Sequence, residues 1–219
     1  MRLHVGSLRQ MRTFAEALAG HLQAGDLLIL TGNLGAGKTT FTQSLGRALG
    51  VAGRITSPTF IIAREHPSLS GGPALVHVDA YRLSDAEELG DLDLDSELEE
   101  SITVVEWGAG LAEQLSTDYL QLTITPAWAE GAVDFADASN HVDDRELEDD
   151  ADLDGDADLA DDPELDDERR SIDILGHGSG WDERLARLGA SLAELFELEA
   201  NADRTGGTDT GPDTDKDRA

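Results

Sequence analysis

Residues 32–40 read Gly-Asn-Leu-Gly-Ala-Gly-Lys-Thr-Thr, the spacing of a phosphate-binding loop with Gly32, Gly37, Lys38 and Thr39 at its fixed positions. The flanks decide what that spacing means. Ahead of it, Leu27-Leu28-Ile29-Leu30-Thr31 is a short apolar stretch of strand type. Behind it, Phe41, Leu45, Ala48 and Leu49 recur at helical spacing, and Gly50 stands where a helix stops. Strand, glycine loop and helix in that order is the context that turns the motif match into a phosphate site. The glycines let successive N–H groups turn toward one point, and the helix N-terminus adds about half a positive charge there. On this reading Asn33, Leu34, Gly35, Ala36, Gly37, Lys38, Thr39 and Thr40 surround the phosphates of a nucleotide. Lys38 reaches the β- and γ-phosphates, and the Thr39 hydroxyl holds Mg²⁺.

A phosphate loop also needs an acid on a neighbouring strand to complete the metal site, and a group that orients the nucleophile. Two apolar stretches end in acids: Ala74–Asp79 and Ser101–Glu106. Glu106 is expected to hold the metal with Thr39, and Asp79 to sit near the γ-phosphate; the spacing alone does not rank the two acids. Trp107 follows Glu106 directly and reads either as a core aromatic or as a lid over the nucleotide. Ser57-Pro58-Thr59-Phe60 interrupts regular structure and reads either as a γ-phosphate-sensing loop or as a proline turn. The chain has two lysines, Lys38 and Lys216, and no Asn/Thr-Lys-x-Asp guanine-reading sequence. ATP is therefore expected rather than GTP.

The rest of the chain fits around this centre. Ser7 is placed to cap a helix whose apolar face is Met11, Phe14, Ala15, Leu18 and Leu22. Phe60 to Ala63 begins a strand, Ser84 and Glu87 have the spacing of a capping box, and Leu120–Ile124 alternates as a half-buried strand. Ser171–Leu175 reads as its partner strand, and Trp181–Leu198 as an amphipathic helix.

Charge separates an enzyme-like core from an addition. The formal net charge is −30, yet residues 143–168 alone carry sixteen acids and one arginine. A broad cationic face for nucleic acid is excluded, so any tRNA connection is expected to be indirect. The block contains Asp150, Asp152, Asp154, Gly155, Asp156, Asp158 and Asp161 at calcium-loop spacing. In so acidic a low-complexity run that spacing arises easily, and a solvated loop is expected instead. With no cysteine there is no disulfide or zinc-thiolate site. With no secretion signal or bilayer-spanning run, a cytoplasmic location and no membrane partner are expected. The expected organisation is a phosphate-loop core at 1–129, an acidic insertion at 130–168, a completing strand and helix at 169–200, and a tail at 201–219.

Four blocks together resemble the TsaE (YjeE) ATPase family of tRNA threonylcarbamoyladenosine biosynthesis: GNLGAGKTT at 32–40, SPTF at 57–60, HVDAYRL at 77–83 and VVEW at 104–107. The resemblance covers about residues 1–125 and, more weakly, 169–198. It implies an α/β, phosphate-loop NTPase-like three-layer fold with a mixed, mostly parallel sheet, and an ATPase acting on a TsaD–TsaB complex, with TsaC making the threonylcarbamoyl-adenylate. Lys38 and Thr39 then match the family's loop lysine and Mg²⁺ threonine, Asp79 the acid of its H-x-D-x-Y-R-L block, and Glu106-Trp107 its E-W pair, which implies that Trp107 contacts the nucleotide. Asn33, Gln43 and Gly108 depart from the usual Asp, Arg and Pro, which bears on partner fit more than on phosphate or metal chemistry. The competing readings are a small-molecule kinase, and a nucleotide-switched binding module in which hydrolysis is incidental.

Overall fold

The computed structural model describes residues 1–56, 63–83, 85–90, 98–129 and 169–205. The SPTF block, the acidic stretch 130–168 with its calcium-like spacing, and the tail from residue 206 lie outside the described residues.

The strands are β1 (Arg2–Val5), β2 (Leu27–Thr31), β3 (Ala63–His66), β4 (Ala74–Asp79), β5 (Ser101–Glu106), β6 (Tyr119–Pro126) and β7 (Arg170–His177). They form one sheet in the order β1-β7-β6-β2-β5-β4-β3. The four central strands, β6, β2, β5 and β4, run parallel; β7 and β3 are antiparallel to their neighbours, and β1 to β7. The sheet is therefore mixed and mostly parallel. The central position of β2 and β5 explains their composition. Leu27–Leu30 and all six residues of β5 are buried, as expected for strands covered on both faces.

Helices α1 (Leu8–Ala19), α2 (Lys38–Leu49) and α4 (Asp182–Thr205) cover one face, and α3 (Ala86–Gly90) lies on the other. On the first face Phe14 of α1 meets Phe41 of α2 with ring centroids 5.5 Å apart, and Leu188 and Leu192 of α4 join the same core. The Ser7 hydroxyl accepts the Gln10 N–H and caps α1. Gly50, at φ 66°, closes α2.

One boundary differs from the sequence reading, and two readings fall partly outside the described residues. β3 is described from Ala63, with the residues ahead of it outside the described set. At the start of α3 the Asp85 carboxylate accepts the Glu87 and Glu88 N–H groups, while Ser84 of the expected Ser84–Glu87 capping box lies outside the described residues. Helix α4 runs to Thr205, five residues past the expected end of the core at 200. β7 pairs antiparallel with β6 from Tyr119↔His177 to Pro126↔Arg170, so the strand following the acidic stretch is the partner that alternation in 120–124 called for.

Candidate nucleotide site

The site forms where β2, β4 and β5 end beside the start of α2. After Thr31 the chain turns at Gly32, with φ 140°, close against the sheet: a Cβ there would lie 2.3 Å from the Ile124 carbonyl oxygen. Gly37, at φ 102°, leads into α2, and the Phe41 N–H makes a helical bond to the Gly37 carbonyl at 2.9 Å. The first-turn N–H groups of a helix have no intrahelical acceptor, which makes this end of α2 suited to an anion. Leu34, at the loop tip, is exposed.

Lys38 is only 5% exposed. Its ammonium donates to the carbonyls of Gly32 at 2.8 Å and Asn33 at 3.1 Å, and lies 3.5 Å from the centroid of the Trp107 ring. Burial pushes its pKa down to about 8, opposed by the charges of Glu106 and Asp79, which favour the ammonium. Trp107 has φ 61°, a left-handed conformation unusual for a bulky residue. Its N–H donates to the Leu30 carbonyl at 2.9 Å, and its ring centroid lies 5.1 Å from that of Tyr81. Trp107 is thus at the mouth of the site against Lys38 and Tyr81 and joins neither core cluster.

Glu106 is 2% exposed and has partners on both oxygens. Oε2 accepts the Thr39 hydroxyl at 2.9 Å. Oε1 lies 2.8 Å from His77 Nε2 and 3.3 Å from the Thr42 hydroxyl, which also sits 3.0 Å from the Lys38 carbonyl. Asp79 is in register with Glu106 on the adjacent strand, and its Oδ1 accepts the Tyr81 N–H at 3.0 Å. Of the two acids, it is Glu106 that touches Thr39. Among the described residues no group of three or more His, Asp or Glu gathers as a metal cage. A hydroxyl beside a single carboxylate nevertheless fits Mg²⁺, which usually takes one or two protein oxygens and fills its remaining positions with water and phosphate.

Three residues to which the sequence reading gave no role belong here. His77 and Thr42 hold Glu106 from the core side. Arg170, at the start of β7, donates from Nε to the Ala36 carbonyl at 3.0 Å and packs beside Gly37. Beside Thr40 opens a cleft of about 680 Å³ whose lining includes Arg12, Gln43, Arg47, Arg54 and Arg170. The alternation of β4 places His77 on the α2-facing side, and its place at the head of the HVDAYRL block was the other signal available for it. Nothing local in the sequence joins Arg170 to a loop 134 residues earlier.

The family model described as Threonylcarbamoyl adenosine biosynthesis protein TsaE matches residues 5–131. A Streptomyces coelicolor protein named tRNA threonylcarbamoyladenosine biosynthesis protein TsaE is 56% identical over 133 residues, covering 60% of this chain and 87% of that protein. Proteins of the same name from Mycobacterium tuberculosis and Bacillus subtilis are 49% and 39% identical, each over 119 residues and covering 71% and 73% of their own length and 51% and 54% of this chain. Among solved structures, Bacillus subtilis YdiB matches with a TM-score of 0.55 at 24% identity, over 89% of this chain and 94% of that one, a likeness of fold. No helix among the described residues is long and apolar enough to cross a membrane.

Proposed function

The chain belongs to the TsaE family, and on that premise we propose that it is a Mg²⁺-dependent ATPase that serves tRNA threonylcarbamoyladenosine biosynthesis by acting on a TsaB–TsaD complex. The observation that carries the reading is the contact between Thr39 and Glu106 at 2.9 Å, next to the buried Lys38 of the loop.

The residues divide the work by their chemistry. The backbone of residues 33–40 and the start of α2 bind the phosphates through N–H groups. Lys38 presents a cation already desolvated and held in place by two carbonyls, so little side-chain freedom remains to be lost when phosphate arrives. Thr39 and Glu106 offer hard oxygens to Mg²⁺, which when bound neutralises charge on the β- and γ-phosphates. Asp79, one strand over, orients the attacking water. The cleft beside Thr40 gives the nucleoside room adjacent to the loop. Tyr81 is exposed at the mouth of the site against Trp107, which supports control of turnover by a docked partner. Contact with tRNA then runs through that partner.

The test is ATP hydrolysis by the chain alone and with the TsaB–TsaD complex. The reading expects turnover that needs Mg²⁺ and rises with the complex. Transfer of the γ-phosphoryl group to a small molecule would establish a kinase instead. Tight Mg·ATP binding with no hydrolysis in either condition would establish a binding module.

A further inference from the structure

His77 occupies a position where an aliphatic side chain would ordinarily sit. It is fully buried on the α2-facing side of β4, between Leu75 along its own strand and Val104 across on β5. A polar group buried there is unfavourable unless its atoms are hydrogen-bonded. Among the described residues His77 has one such bond, from Nε2 to Glu106 Oε1 at 2.8 Å, and Nδ1 has no partner. A carboxylate accepts and does not donate, so Nε2 is the donor in that contact. The imidazole therefore serves a single oxygen of a single carboxylate.

The geometry points to His77 as a positioning residue for Glu106: with Thr42 it holds Oε1 from the core side and so presents Oε2 to Thr39. This rests on the reading of Thr39 and Glu106 as the cation's protein ligands. His77 would then set the affinity for the divalent cation without touching cation or nucleotide. Hydrogen-bond partners of metal ligands typically change metal affinity or activity by about 10–100-fold when removed. A merely structural His77 would alter melting temperature and leave the metal dependence where it was.

The measurement is Mn²⁺ binding to the full chain in the presence of ADP, followed by electron paramagnetic resonance, for wild type, His77→Leu, His77→Asn and His77→Gln. Gln carries its amide nitrogen at the reach of Nε2, whereas Asn stops at the reach of Nδ1. ADP binding in EDTA and the melting temperature are recorded alongside. His77→Leu and His77→Asn are expected to weaken Mn²⁺ binding about tenfold or more, and His77→Gln to stay within about threefold of wild type. Metal-free ADP binding should hold in all three. Should His77→Leu fail to fold, the Gln and Asn pair decides. Unchanged Mn²⁺ affinity in His77→Asn overturns the inference, as does equal weakening in Gln and Asn. Wild type that takes up no Mn²⁺ with ADP overturns the reading of Thr39 and Glu106 themselves, and the inference with it.

Discussion

The ammonium of Lys38 lies 3.5 Å from the centroid of the Trp107 ring, so the loop lysine and the residue after Glu106 are in direct contact. A cation over an indole face is worth about 0.5–2 kcal/mol, depending on how far it is desolvated. Holding Trp107 at φ 61° costs about 1–3 kcal/mol, borne by the surrounding structure. Phosphate approaching Lys38 must share or displace the ring. Binding of Mg·ADP should therefore change tryptophan fluorescence, and Trp107→Phe should abolish the change. Trp181 is buried and Trp128 is exposed elsewhere. A signal of the same size in Trp107→Phe would mean the ring does not respond to the nucleotide.

Two loop glycines should differ sharply. At Gly32 an added Cβ would meet the Ile124 carbonyl at 2.3 Å, whereas at Gly35, φ 75°, it meets nothing within 4 Å. Gly32→Ala should lower stability by about 3 kcal/mol or more through overlap with main chain, and Gly35→Ala by about 1 kcal/mol from φ alone. Denaturant unfolding of the two variants checks this, and equal losses would contradict the close approach at Gly32.

Burial gives Lys38 a pH signature. Its pKa is about 8 in the folded chain against 10.5 ordinarily. Between those values the unfolded chain keeps its proton while the folded chain has released it, so this group's contribution to stability rises with pH across that window. Its contribution to nucleotide binding runs the other way, because the ammonium is the form that attracts phosphate. ADP affinity should be level below about pH 8 and decline above it by at most about tenfold per unit. Lys38→Met should bind more weakly and show no such decline. Calorimetric titration across this range checks it, and a level wild-type profile would contradict it.

The parts of the site that were legible in the sequence are those whose physics is local. Gly32 to Thr40 declare themselves because the glycines, lysine and threonine must sit at fixed offsets along one turn of chain. Asp79 and Glu106 were legible as acids ending apolar strands, but which of them meets Thr39 depends on the packing of α2 against β5. The roles of His77 and Thr42 were hidden because each acts through Glu106, 29 and 64 residues away. From the residues alone Trp107 stayed open between core and lid, and only the family resemblance pointed to the nucleotide, because its place follows from a left-handed backbone that no propensity predicts for tryptophan. The pairing of β6 with β7 was readable because alternation marks half-buried strands whatever lies between them.

The central claim is that Glu106 serves the chemistry of a bound nucleotide and not merely the end of β5. The direct measurement compares wild type with Glu106→Gln for ATP turnover in the presence of the TsaB–TsaD complex, and for ATP affinity. The amide keeps the shape of the side chain but weakens its hold on a cation. Turnover should fall by about 10² to 10³, the usual cost of losing one transition-state contact, while affinity stays within about threefold. A variant that hydrolyses ATP at the wild-type rate would contradict the account.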